Sequence, residues 1–136
     1  MEDKTQALLE GQFFLYPLRL TNYQVKLTRQ GITFYELPKK KDKLKHERNI
    51  HIGDVVGCRC KRAKLVTDTS AYFTIFSYQF KTKSKRKRHK KEFTFGLHES
   101  SVYDENLNIC QKWRNVIVCL SRNISVNSHG KFIFID

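Results

Sequence analysis

Glycine is scarce in this chain, and the six that occur are dispersed: Gly11, Gly31, Gly53, Gly57, Gly96 and Gly130. No cluster of them could form a loop that cradles nucleotide phosphates with successive backbone N–H groups, so no cofactor site of that kind is expected. Cysteine is equally uninformative as chemistry. Cys58, Cys60, Cys110 and Cys119 form no C-x-x-C pair and no zinc-type spacing with histidine. They read as small core residues of a reducing compartment. The histidines are scattered, and His46 and His89 lie among cations, which argues against a metal site. His98-Glu99 begins like a zinc-protease motif but lacks the second histidine three residues on. No serine, cysteine or pair of carboxylates stands in a recognisable catalytic frame. No apolar run approaches the ~20 residues of a membrane span, and residues 1–12 do not have the cationic start and apolar stretch of a signal peptide. The expectation is no catalytic residue, no metal and no cofactor. Asn123-Ile124-Ser125 matches a glycosylation acceptor, read as chance without secretion.

Acid is the other absence, and it is local. Residues 81–91, KTKSKRKRHKK, hold eight cations and no carboxylate. Residues 39–48 hold six more cations against Asp42 and Glu47. Together the two segments account for twelve of the net +13. Each lies between strand-like runs, so each is expected to be a charged loop. A compact body carrying two basic loops is suited to an anionic surface. Arg59, Lys61, Arg62 and Lys64 form a third cluster. Arg59 and Lys61 alternate with Cys58 and Cys60, which places those cations on the solvated face of a strand.

What is plentiful is aromatic and β-branched. With 40% apolar and 12% aromatic residues, the chain is a folded domain, not a polybasic tail. Residues 12–16 read as an opening strand. Residues 23–29 alternate apolar and polar, turn at Gln30-Gly31, and continue through 32–37, which predicts a hairpin. Residues 49–52 and 55–60 are two short strands broken by Gly53-Asp54. Residues 71–80 form a long aromatic strand, with Tyr72, Phe76, Tyr78 and Phe80 on one face and Phe73 and Ile75 on the other. Two apolar faces imply a buried strand or, alternatively, a sticky patch for another domain. Residues 93–97 make the seventh strand. The period then changes: Leu107, Cys110, Trp113, Ile117 and Leu120 fall on one face of a helix over 103–122. Ser101 with Asp104 forms a candidate capping box, and Asp104-Glu105 suit a helix N-terminus. Trp113 is the expected structural anchor of the core.

Seven strands followed by one amphipathic helix is the element order of the pleckstrin-homology fold. The expected fold class is mainly β: a seven-stranded bent sheet or barrel capped by one C-terminal helix. The run GQFFLYP at 11–17, the hairpin after it, SAYFTIFSY at 70–78, the basic run, Phe93-Thr94-Phe95, and Tyr103-Asp104-Glu105-Asn106 with Trp113 and Cys119-Leu120 resemble the region preceding the catalytic domain in longer sphingosine kinases. Ceramide kinases are similar in placing a pleckstrin-homology domain before such a kinase. The resemblance implies an N-terminal tail at 1–10, a pleckstrin-homology-like domain at 11–123, and a linker at 124–136 toward a catalytic domain absent from this chain. It implies no enzyme activity for the chain itself and an ATP-dependent lipid kinase as its parent. It also implies that the two basic segments open at the same end of the fold. Many such domains carry a phosphoinositide signature in the first strand pair, where residues 17–22 here offer only Arg19.

The expected role is to bind anionic membrane lipid through Lys81, Lys83, Lys85, Arg86, Lys87, Arg88, Lys90 and Lys91, with Lys39, Lys40, Lys41, Lys43 and Lys45 contributing. Each cation near an anionic leaflet contributes ~1 kcal/mol. Location would be cytoplasmic and peripheral to the membrane. Alternatives are contact with the parent's catalytic domain, docking to an import receptor through Lys85-Arg86-Lys87-Arg88 with a nuclear location, or a solvated loop with no partner. Nucleic acid is disfavoured because the cationic segments hold no aromatic for base stacking.

Overall fold

The computed structural model describes residues 6–37, 47–81 and 84–122, with the backbone alone over 79–89. Seven strands precede one helix: β1 Leu9–Leu15, β2 Leu18–Thr28, β3 Gly31–Glu36, β4 Arg48–His51, β5 Val55–Arg62, β6 Ala71–Lys81, β7 Ser84–Leu97 and α1 Tyr103–Ser121. All pairings are antiparallel, in the order β4-β3-β2-β1-β7-β6-β5. The sheet is open, and a 3-10 turn over Ile52–Asp54 joins its two edge strands. This is the bent, helix-capped sheet of a pleckstrin-homology-like fold. β1 starts at Leu9, two residues ahead of the expected domain boundary, because Leu9 and Glu10 already pair with Leu27 and Lys26. Residues 1–5 and 124–136, read as tail and linker, lie outside the described residues, as does Asn123.

The bend can be read from ring distances. Phe34 on β3 is three strands away from β7 in the sheet order, yet its ring lies 5.7 Å from Phe93 and 5.2 Å from Phe95. The curl gives the alternating apolar residues of β2, β3, β6 and β7 a common interior. Val25, Leu27, Ile32, Phe34, Phe73, Ile75 and Phe95 are all fully buried there. An aromatic column crosses this core. Trp113 stacks on Phe73 at 5.8 Å, Phe73 stacks on Phe95 at 5.5 Å, and Phe95 meets Phe34 edge to face. Such pairs add about 0.5–1.5 kcal/mol each beyond the area they bury.

Two glycines are fixed by close approach. Gly31, at φ 151°, opens β3 where a Cβ would meet the Ile50 carbonyl oxygen at 2.1 Å. Gly96 lets the Phe14 ring lie on the outer face of β7, where a Cβ would be 2.3 Å from that ring.

The helix keeps its expected length and turns a slightly different face inward. Cys110, Trp113 and Ile117 are buried as read, Leu107 and Leu120 only partly, and Asn106, Val116 and Cys119 join the buried set. The capping box expected from Ser101 and Asp104 does not form. Val102 is the N-cap and offers no side-chain bond. Ser100 takes the role instead: its hydroxyl accepts from the Val102 N–H at 3.0 Å and donates to the Glu105 carboxylate. Buried Asn106 completes the network. Its carboxamide oxygen accepts from Ser100 N–H at 3.0 Å, and its amide nitrogen donates to the carbonyls of Thr69 and Ser100, both at 2.9 Å. The loop before the helix and the connection before β6 are thereby tied to one side chain.

Candidate anion-binding surface

The largest departure from the sequence reading concerns residues 81–91. They are not a loop. β6 runs to Lys81 and β7 begins at Ser84, so only Thr82 and Lys83 are left as the connection, and these lie outside the described residues. Phe76↔Glu92, Ser77↔Lys91 and Tyr78↔Lys90 pair in register, and the pairing continues through Phe80↔Arg88 before it slips at Lys81. The physical reason is β6. A strand that stays aromatic and β-branched to residue 80 needs a partner for its backbone groups, and the chain returning from the turn supplies it whatever its side chains. Intrinsic preference against lysine in strands is too weak to prevent this.

The basic run therefore sits on a hairpin arm. β7 pairs with β1 only at Gly96 and Phe95. Among the described residues its other edge, from Ser84 to Phe93, has no strand beside it. A dense cation row on such an edge also suppresses pairing with another chain.

Successive side chains on a strand project to opposite faces, and the two described cations of this run show it. Lys90 stands over the outer-face ring of Phe76 at 5.3 Å. Lys91 stands over the inner-face ring of Phe93 at 5.1 Å. Arg48, which opens β4, lies 5.4 Å from that same Phe93 ring and 5.0 Å from Phe34. Arg48 is the last residue of the first basic segment and Lys91 the last of the second. Their shared ring brings the described ends of the two segments together at the mouth of the bent sheet. Among the described residues neither cation has an ion-pair partner, though exposed Glu47 and Glu92 are their chain neighbours. Lys39, Lys40, Lys41, Lys43 and Lys45 lie outside the described residues. For Lys81, Lys85, Arg86, Lys87 and Arg88 only the strand position is described.

The buried thiols offer no reactive group. All four cysteines are free, and Cys58, Cys110 and Cys119 are buried. Burial pushes the Cys58 thiol far up and the Cys110 thiol up to about 12, so neither is a nucleophile at neutral pH. Among the described residues no group of three His, Cys, Asp or Glu could hold a metal ion, and no helix is long and apolar enough to cross a membrane. Arg59 and Lys61 point to solvent as their alternation requires.

Beside the third basic cluster, sequence reasoning missed a clamp built on Arg19. Arg19 bridges to Asp68 at 3.0 Å, bonds to the Ser70 hydroxyl at 2.9 Å and lies over the Phe14 ring. Burial raises the Asp68 carboxyl, but bonds from Ser70 and Arg19 outweigh it and hold the group below its ordinary range. The clamp fastens the connection between β5 and β6 to the start of β2. Arg19 and Asp68 are 49 residues apart, so no local pattern could show the pair.

No protein-family model matches the chain. A curated relative does: over 124 residues the chain is 28% identical to human sphingosine kinase 2, covering 91% of this chain and 19% of that protein. The chain thus spans about a fifth of the relative, and it is related to sphingosine kinases at that distance.

Proposed function

We propose that this chain is a noncatalytic domain of a sphingosine kinase that rests on anionic lipid surfaces through its basic end. One observation carries the reading: Arg48 and Lys91 stand over the same Phe93 ring with no described carboxylate paired to them. Two like charges on one ring, adjoining in sequence two lysine-rich segments, favour any anionic surface that approaches the mouth of the sheet. Several cations engaged together at ~1 kcal/mol each give reversible binding without a stereospecific pocket. Such a domain would keep a lipid kinase where its substrate resides, and its contact with the kinase's catalytic region would regulate it. Nucleic acid fits less well, because the Phe93 ring beneath Arg48 and Lys91 is only 3% exposed and cannot stack on a base.

The unpaired edge of β7 favours a second reading, in which the cations serve only to keep that edge solitary. A quadruple variant, Lys85, Arg86, Lys87 and Arg88 to Ser, separates the two in vesicle sedimentation and analytical ultracentrifugation. The membrane reading predicts weaker binding to acidic vesicles and a monomer with an unchanged melting transition. Wild-type binding should also fade as salt screens the charges over ~8 Å. Unchanged vesicle binding together with self-association would establish the edge reading, and the import-receptor reading would be next to test.

A further inference from the structure

On the outer face, at the end of the β6–β7 hairpin away from the basic run, the turn between β1 and β2 and the connection between β5 and β6 border a cleft of about 340 Å³. We propose that this cleft binds a phosphate group carried on an apolar chain. Its charge comes from Arg19, Lys61, Arg62 and Lys64, against Asp68 as the one lining carboxylate. Asp68 is already spent on Arg19 and Ser70. That leaves Lys61, Arg62 and Lys64 uncompensated among the described residues. Arg62 is also held in place, its guanidinium 4.2 Å from the Tyr103 ring at the start of α1. A stacked guanidinium keeps its N–H edge available for a phosphate and loses little freedom on binding one.

The walls are not polar. Tyr16 and Tyr72 meet edge to face at 6.2 Å, and Leu65 closes the other side. Tyr16 is 59% exposed, Leu65 69% and the adjacent Val66 83%. A cleft this large lies within the ~300–1,000 Å³ of ligand sites and exceeds what a lone phosphate fills. Cations at the rim, aromatic walls and exposed aliphatic side chains on the flanking turns match an amphiphile: the phosphate meets the cations and the chain lies against Tyr16, Tyr72 and Leu65. The site shares no residue with the basic run of residues 81–91, so it stands or falls separately from the membrane reading.

Amide NMR of the 136-residue chain tests it with octyl phosphate, inorganic phosphate, and phosphatidylcholine vesicles with and without a lipid phosphomonoester. Octyl phosphate should give saturable shifts at Tyr16, Arg62, Leu65 and Tyr72. The double variant Lys61→Gln/Lys64→Gln, which alters only solvated side chains, should weaken that binding about tenfold or more. The Lys85, Arg86, Lys87 and Arg88 to Ser variant should leave it intact. Line broadening at the same amides with phosphomonoester vesicles would assign the ligand to a bilayer; binding of the monomer alone would assign it to a dispersed amphiphile. Inorganic phosphate matching octyl phosphate in affinity, an octyl phosphate affinity indifferent to the double variant, or tighter binding of an oligoglutamate peptide at these amides would each overturn the proposal.

Discussion

The two ends of the aromatic column are built on opposite rules. At the helix end, Trp113 is 3% exposed and is packed against Phe13 at 5.0 Å and Phe73 at 5.8 Å, while Asn106 spends its carboxamide on three backbone groups. At the mouth, Phe34 and Phe93 end the column under exposed cations. The first end is where changes of volume and hydrogen bonding should damage folding. The second can change its charge almost freely as far as stability is concerned. A domain whose basic surface is decoupled from its core can meet a charged partner without disturbing its fold.

The largest effect is expected at the helix end. Trp113→Ala removes the plug of the column and should cost ~3–5 kcal/mol in a denaturant melt. That is enough to threaten a domain of this size. A cost below ~1 kcal/mol would mean that the helix does not anchor the core. Asn106→Ala leaves the Ser100 N–H and the Thr69 carbonyl without their partner, and should cost ~1–3 kcal/mol. Hydrogen exchange should report it as faster opening of residues 98–103 and 68–70 ahead of the sheet. Protection unchanged in both segments would show that the clamp is redundant.

Alkali probes the same end more gently. The Cys110 thiol goes from an ordinary value of 9.0 to about 12 in the fold, chiefly by burial. Its contribution is full below 9.0, and it is lost as pH rises through 9.0 toward about 12, because the unfolded thiol ionises first. Stability should decline over that window, and Cys110→Ala should flatten the decline. An identical slope in the variant would contradict the buried, protonated thiol. The smallest stability effect belongs to the mouth. Lys90→Ser with Lys91→Ser should shift the melt by less than ~1 kcal/mol, the scale of exposed cation–ring contacts. The same double change should reduce acidic-vesicle retention. A large stability loss here would erase the distinction between the two ends.

Most of the architecture was legible because periodicity reports which face is buried. The alternation in residues 23–29 and 32–37 and the stripe through Cys110, Trp113 and Ile117 placed the hairpin and the helix. The breaks at Gln30-Gly31 and Gly53-Asp54 fall where the chain turns. What failed was local preference set against pairing. Residues 84–91 look like a solvated loop in sequence, and they are strand because β6 demands a partner. Asn106 was hidden because a polar residue in a helix gives no sign that it will be buried. The Arg19–Asp68 clamp and the cleft beside it were invisible because they join residues from distant parts of the chain. The coming together of Arg48 and Lys91 needed the bend of the sheet, which no strand pattern specifies.

The central claim is that the mouth faces lipid and the helix does not. Paramagnetic relaxation enhancement from nitroxide-labelled lipid in acidic nanodiscs tests it most directly. The account predicts strong broadening at Arg48 and along the β7 amides of residues 84–91, falling away at high salt, with the α1 amides of residues 110–121 unaffected. Broadening centred on α1, or spread evenly over the domain, would contradict it.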